Sequence, residues 1–284
     1  MSFGAVAVVA GIIALDPAFT TGAALGVALV AIGLGIAAEQ WGLLGTATTI
    51  IGALLLAGGV IGFVEGDVAG LAFSALLFLA LAVAIRSNFL MALVPLTLAG
   101  ALGSSTGYMH AVYMLTVNEP SITIAFFALL AGAAYVTSQH VGQAYQHLAI
   151  IFAGVSLILV NFGFWVGSLW GDYPGETWAH GEGYQFWSDR EAWRTGHLHV
   201  PEIAFIVGWA IVIIAVGAWA ARANRRWVVT TAAVFGAIEF YTQWFERRGA
   251  EPWAIIVAGL TIVAFAIALW RYNLDRGRPA TFAA

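Results

Sequence analysis

Apolar segments about as long as a membrane-crossing helix follow one another along the chain, separated by short polar breaks. A helix needs about 20 mostly apolar residues to cross the hydrocarbon core of a bilayer, and charges, prolines and polar clusters interrupt the runs here. We therefore predict an all-α, polytopic transmembrane helix bundle that forms a single integral membrane domain over residues 1–284. Its ten predicted spans are 2–15, 18–38, 42–63, 68–85, 88–103, 121–137, 145–170, 202–221, 227–245 and 252–270.

Two stretches between the predicted spans differ from the rest. Residues 104–120 are too short and too polar at their ends to cross the membrane. They predict either a re-entrant or interfacial helix near 107–117 or an ordinary amphipathic helix in a loop. Residues 171–201 form an external loop of about 30 residues.

Composition supports the membrane assignment and excludes several classes of function. The chain is 61% hydrophobic and 9% charged, whereas soluble domains carry about 25% charged residues. The lipid bilayer is therefore the first predicted partner. Nucleic-acid binding is excluded as a main role, because 11 basic residues against 15 acidic ones make no surface that tracks phosphates. With no cysteine in the chain, thiol catalysis and cysteine-ligated metal centres are excluded.

The arginines predict the orientation, because loops on the cytoplasmic side carry an excess of basic residues. If the N-terminus is cytoplasmic, ten spans return the C-terminus to the cytoplasm as well. Four arginines then lie outside, namely Arg190, Arg194, Arg247 and Arg248. Seven lie inside: Arg86, Arg222, Arg225, Arg226, Arg271, Arg276 and Arg278.

The external loop is rich in aromatic residues, which favour the boundary between membrane and water. Trp178, Trp187 and Trp193 make it a candidate docking surface for a membrane-protein partner. Ser188 and Glu191 have the spacing of a capping box, which predicts a short surface helix over about 189–195.

The same loop holds a candidate site for a divalent metal. His197, His199 and Glu202 could supply two imidazoles and a carboxylate, and His180 could complete the ligand set. The competing interpretation is that these are solvated polar side chains. No other cofactor is predicted.

Ionisable residues inside membrane spans are costly and are candidates for function. Glu239 lies within the ninth predicted span, and Gln243 follows four residues later on the same helical face. Asn161 lies within the seventh span. These three residues could bind a cation or relay a proton. Alternatively, Glu239 pairs with Arg247 or Arg248 and is structural.

Segments in the C-terminal third resemble an uncharacterised family of bacterial multi-pass inner-membrane proteins, known as a domain of unknown function. The resemblance rests on Asn161-Phe-Gly-Phe-Trp-Val-Gly-Ser-Leu-Trp-Gly-Asp172, Phe240-Tyr-Thr-Gln-Trp-Phe-Glu246, the Gly249-Ala-Glu-Pro252 turn and Leu269-Trp-Arg-Tyr-Asn273. It implies a location in the bacterial inner membrane. It also implies a partner protein, since some members are paired with a protein that carries a GDYXXLXY motif. It assigns no catalytic residues.

Three functions fit these observations. The chain is predicted to be a small solute or ion carrier that is coupled through Glu239. The alternative is a non-catalytic subunit or assembly factor of a membrane complex, which docks through the external loop. The third is an intramembrane metalloenzyme that uses the external histidines. No catalytic residue is predicted, and the sequence names neither a substrate nor a partner.

Overall fold

The described residues form a mostly helical chain, as predicted. The computed structural model describes residues 19–37, 42–64, 67–109, 112–179, 187–248 and 252–277. Within them, two strands form a hairpin, β1 (Ser104–Met109) and β2 (Val112–Val117). The helices are α1 (Phe19–Ala37), α2 (Gly42–Phe63), α3 (Val68–Ala84), α4 (Asn88–Ala101), α5 (Pro120–His140), α6 (Gln143–Trp170), α7 (Glu176–Ala179), α8 (Trp187–Thr195), α9 (Glu202–Arg222), α10 (Arg226–Arg248) and α11 (Pro252–Gly277).

Nine of the predicted apolar segments coincide with described helices, eight of them to within three residues at each end, while α11 extends seven residues beyond the last predicted segment. The first segment, 2–15, lies outside the described residues. Four described helices, α2, α5, α6 and α9, are long and apolar enough to cross a membrane. Helices α3 and α4 are apolar but shorter. The structure thus supports a membrane protein, and the count of ten spans stays a prediction.

The sequence prediction for residues 104–117 was wrong. Both interpretations placed a helix near 107–117, but the chain forms an antiparallel hairpin there, with Ser104 opposite Val117 and Met109 opposite Val112. The residue types explain the difference. Gly107 disfavours a helix, and the β-branched and aromatic residues of 112–117 favour a strand.

The prediction of the surface helix was right about the helix and wrong about its start. Helix α8 begins at Trp187, one residue before Ser188. Ser188 therefore lies inside the first turn rather than at the N-cap position that a capping box requires.

The chain divides into two compact units. Unit one comprises the described residues within 1–163 and 173–198, and unit two comprises those within 164–172 and 199–284. In unit one, α1 and α2 pack closely through glycines. A Cβ atom at Gly52 would lie 2.6 Å from the backbone nitrogen of Val30, which is too close for any other residue. Small residues at such contacts let membrane helices approach each other closely.

Contacts at the two ends of unit one show how successive helices alternate in direction. The Arg86 guanidinium, in the turn between α3 and α4, lies over the Tyr145 ring near the start of α6, at 5.7 Å. At the opposite ends of α4 and α6, Gly103 has φ +85° and lies against Asn118 and Thr177. The hairpin and residues 173–179 therefore lie at the same end of unit one, as a polytopic bundle requires.

Unit two is built from the end of α6 and from α9, α10 and α11. Asp172 and Val200 exchange two backbone hydrogen bonds of 2.9 Å, which hold the end of α6 beside the start of α9. Gly171 has φ +66°, and a Cβ atom there would lie 2.9 Å from the Val200 carbonyl oxygen. Phe164 stacks on the fully buried Trp209 of α9, with ring centroids 6.4 Å apart.

Candidate functional site

A buried carboxylate ties together chain segments at one end of unit one. Glu119 immediately precedes α5 and is 0% exposed. Its two oxygens accept hydrogen bonds from the backbone N–H groups of Gly175 and Thr177, both at 2.7 Å. A buried carboxylate is tolerated when hydrogen bonds satisfy it. Glu119 therefore fixes the chain around α7 against the start of α5.

A second carboxylate, Glu176 of α7, holds α8 in place. Arg190 and Arg194 each donate two hydrogen bonds to it, through Nε and Nη2. The two arginines are four residues apart and so lie on one face of α8. The Arg194 guanidinium also lies 4.6 Å from the centre of the Tyr173 ring. We call Tyr173, α7, α8 and the Glu119 carboxylate the cap.

The arginines determine the ionisation of Glu176. Burial raises the pKa of its carboxyl group, but hydrogen bonds from Arg190 and Arg194, together with their positive charges, outweigh burial and lower the pKa to about 2. Glu176 is thus ionised throughout the neutral and mildly acidic range. It is a structural ion pair rather than a proton donor.

The tryptophans predicted to form a docking surface differ in exposure. Trp178 of α7 is 48% exposed. Trp193 is half-buried and stacks on His197, with ring centroids 3.8 Å apart. Trp187 is the first residue of α8, and its side chain lies outside the described residues.

Of the predicted metal ligands, the structure describes His197, His199 and Glu202. His197 is exposed and its Nδ1 lies 2.6 Å from the Trp193 carbonyl oxygen. His199 and Glu202 are also exposed but belong to unit two, and His180 lies outside the described residues. Where the structure describes side chains, no group of three or more histidine, aspartate or glutamate residues could hold a metal ion. The metal site stays a prediction.

Several polar side chains inside helices bond their own helix. Asn161, predicted to belong to the intramembrane polar set, is buried in unit one and donates from Nδ2 to the Leu157 carbonyl oxygen at 2.8 Å. Thr49 and Ser74 make similar bonds to Gly45 and Gly70. Such bonds satisfy buried polar groups within one helix.

Glu239 and Gln243 of α10 differ from these residues. Both are half-buried, in unit two, and lie one turn apart on one helical face. The Gln243 Nε2 atom is buried and has no hydrogen-bond partner. Within the part of the chain that the structure describes, no hydrogen bond or ion pair reaches Glu239. The side chains of Arg247 and Arg248, its predicted structural partners, lie outside the described residues.

Sequence reasoning did not single out the cap residues as a group. Glu119 bonds residues 56 and 58 positions away, and no local pattern encodes such a contact. The spacing of Arg190 and Arg194 was a usable signal, because residues four apart on a helix share a face.

Comparison with models of known protein families gave no match, and no characterised protein or solved structure is significantly similar to this chain.

Proposed function

We propose that this protein is a small ion-coupled carrier in which Glu239 is the coupling carboxylate. The observation that supports this proposal is the uncompensated pair in α10. Glu239 has no partner among the described residues, and the neighbouring Gln243 amide nitrogen is buried without one. Buried polar groups are normally satisfied, so a half-buried carboxylate without a partner is a candidate for binding a cation or a proton.

The chemistry of the pair suits a small cation. A carboxylate oxygen from Glu239 and the amide oxygen of Gln243 are ligands that hard cations accept. A proton is the simplest such ion, because a carboxyl group can carry it and release it. In either case, the ion neutralises a charge that is costly in an apolar environment.

The proposed location is a bacterial inner membrane, crossed ten times, with both termini in the cytoplasm. The ends of unit one support the alternation of spans, because Arg86 meets Tyr145 at one end and Glu119 meets Gly175 at the other. The proposed location in a bacterial inner membrane also rests on the resemblance of the C-terminal third to the uncharacterised multi-pass family.

Flux in proteoliposomes tests the role of Glu239. Vesicles containing the purified protein are given a pH gradient or a sodium gradient, and the decay of the gradient is followed with an internal dye. We expect the wild type to dissipate one of the gradients. Glu239→Gln should slow this at least about tenfold, because the amide cannot carry the charge that couples the ion.

Glu191→Gln is the matched control, because it makes the same chemical change on the exposed surface of α8. It should leave flux unchanged. Equal flux in the wild type and in Glu239→Gln, at every pH tested, would remove Glu239 from the mechanism.

A second candidate function, a non-catalytic subunit or assembly factor, is favoured by the cap. The cap is fixed by Glu119 and Glu176, yet it presents Trp178 to the surroundings and is followed by Leu198, which is 74% exposed. Ordered, exposed apolar residues outside the helical bundle are typical of protein–protein contacts.

The native mass of the complex, extracted from its own membrane in mild detergent, separates the two functions. A stoichiometric partner that is lost in Trp178→Ser and retained in Glu191→Gln would favour the subunit. A monomer or homodimer in the wild type would favour the carrier.

A further inference from the structure

Unit two contains a pocket of about 540 Å³, and the proposed coupling residues are not part of its lining. The residues that line it come from the end of α6, the second half of α10 and the middle of α11. They are Trp165, Leu169, Ala237, Ile238, Tyr241, Thr242 and Ile262. Glu239 and Gln243 are on the same helix but are not among these lining residues.

The lining is made almost entirely of hydrocarbon and aromatic surface. Polar side-chain atoms are carried by Trp165, Tyr241 and Thr242 among the lining residues, none of which is charged. The volume lies in the range of pockets that bind small ligands, about 300–1,000 Å³. The pocket therefore suits an apolar group rather than an ion or a polar solute.

The position of the pocket along α6 gives its depth. Leu169 and Trp165 lie three and seven residues before Asp172, which pairs with Val200 where the chain leaves the helices. At 1.5 Å per residue, this places them about 5–10 Å from the end of the bundle. In the proposed membrane placement, that depth lies within one leaflet of the hydrocarbon core, which is about 30 Å thick in total.

We propose that this pocket binds one acyl chain of a phospholipid from that leaflet. Phospholipid tails are the apolar molecules that surround the helices at this depth, and the lining offers them contacts on three helices. The Tyr241 side chain is 47% exposed and carries a hydroxyl group, so its ring can pack against the chain while its polar tip remains accessible.

Photo-crosslinking tests this proposal. The protein is reconstituted in vesicles of phosphatidylethanolamine and phosphatidylglycerol that contain a phospholipid with a diazirine on one acyl chain. After irradiation, adducts are mapped by peptide mass spectrometry. We expect adducts concentrated on the peptides that carry Trp165, Leu169 and Tyr241.

Variants that fill the pocket sharpen the test. Ala237→Phe and Ile262→Phe narrow it from two different helices, and each should lower labelling at Trp165 and Leu169 at least about fivefold. Val234→Phe and Val263→Phe are the matched controls, because these residues are 49% and 55% exposed on the same two helices and do not line the pocket. They should leave the labelling unchanged.

Two outcomes would overturn the proposal. One is labelling spread evenly over the exposed apolar faces of the helices. The other is concentrated labelling that neither filling variant reduces. Gradient-driven flux measured in the same vesicles keeps this test apart from the carrier proposal, because loss of flux in Glu239→Gln does not depend on acyl-chain labelling.

Discussion

The carboxylates of the cap and the carboxylate of α10 are held in different ways. Glu119 is fully buried, and both of its oxygens accept backbone hydrogen bonds. Glu176 forms ion pairs with Arg190 and Arg194. Glu239 is half-buried in α10, and no hydrogen bond or ion pair compensates it among the described residues.

This difference separates a structural role from a functional one. A carboxylate whose hydrogen bonds and charge are all satisfied contributes to stability, and removing it leaves its partners unsatisfied. A half-buried carboxylate without partners costs stability, so its retention requires another explanation. Glu119 and Glu176 are therefore expected to matter for folding, and Glu239 for activity.

The largest expected effect on stability is that of Glu119→Gln. The amide that replaces the carboxylate has one acceptor oxygen, and its NH₂ group faces a backbone N–H of Gly175 or Thr177. We expect a loss of about 3 kcal/mol, because a charged hydrogen bond disappears and a buried donor is left unsatisfied. The thermal unfolding midpoint in detergent measures this loss. Glu191→Gln should leave that midpoint unchanged, and an equal midpoint in both variants would contradict the structural role of Glu119.

Acid should weaken the cap through Glu176. The pKa of this carboxyl group is lowered from 4.5 to about 2 in the folded protein. A lowered pKa means that its ion pairs stabilise the fold fully above about pH 4.5 and that this contribution is lost as the pH falls towards 2. The thermal midpoint of the wild type should therefore fall over that window.

The variant Glu176→Gln isolates this contribution from other titrating groups. It should already be less stable at pH 7, by about 1–2 kcal/mol, because the amide loses charge-assisted hydrogen bonds to two arginines. The difference between the wild type and the variant should shrink below pH 4.5. A difference that stays constant down to pH 2.5 would show that Glu176 is not the titrating group.

The sequence predicted the helices well because hydrophobic runs of this length leave few other structures open to the chain. It predicted the bounds of α2 and α9 to within one residue. The hairpin was missed because a run of Tyr, Met, Val and Leu without charges is apolar in both a helix and a strand, and only its β-branched and aromatic content distinguishes the two.

The sequence predicted some residues of the candidate sites but few of their contacts. Glu239 was singled out because it falls within a predicted span, where any ionisable residue is conspicuous, and the side chains of its predicted partners, Arg247 and Arg248, lie outside the described residues. The partners of Glu119 lie 56 and 58 positions away, which no local pattern encodes, whereas the partners of Glu176 lie 14 and 18 positions away and share one face of α8. Asn161 looked equivalent to Glu239, but its amide bonds its own helix, and spacing alone does not reveal such a bond.

The smallest expected effect on stability, and the one of opposite sign, is that of Glu239→Leu. Replacing this uncompensated, half-buried carboxylate with a hydrocarbon of similar size removes a desolvation cost and breaks no hydrogen bond seen among the described residues. We expect the thermal midpoint to stay the same or to rise, by at most about 1 kcal/mol in stability. Glu119→Leu, the same substitution in the cap, should lower it. A fall in Glu239→Leu as large as that in Glu119→Leu would mean that Glu239 is a structural residue with a strong partner, and the carrier proposal would lose its supporting observation. A stable Glu239→Leu protein without gradient-driven flux would instead confirm that the chain keeps this carboxylate for its activity.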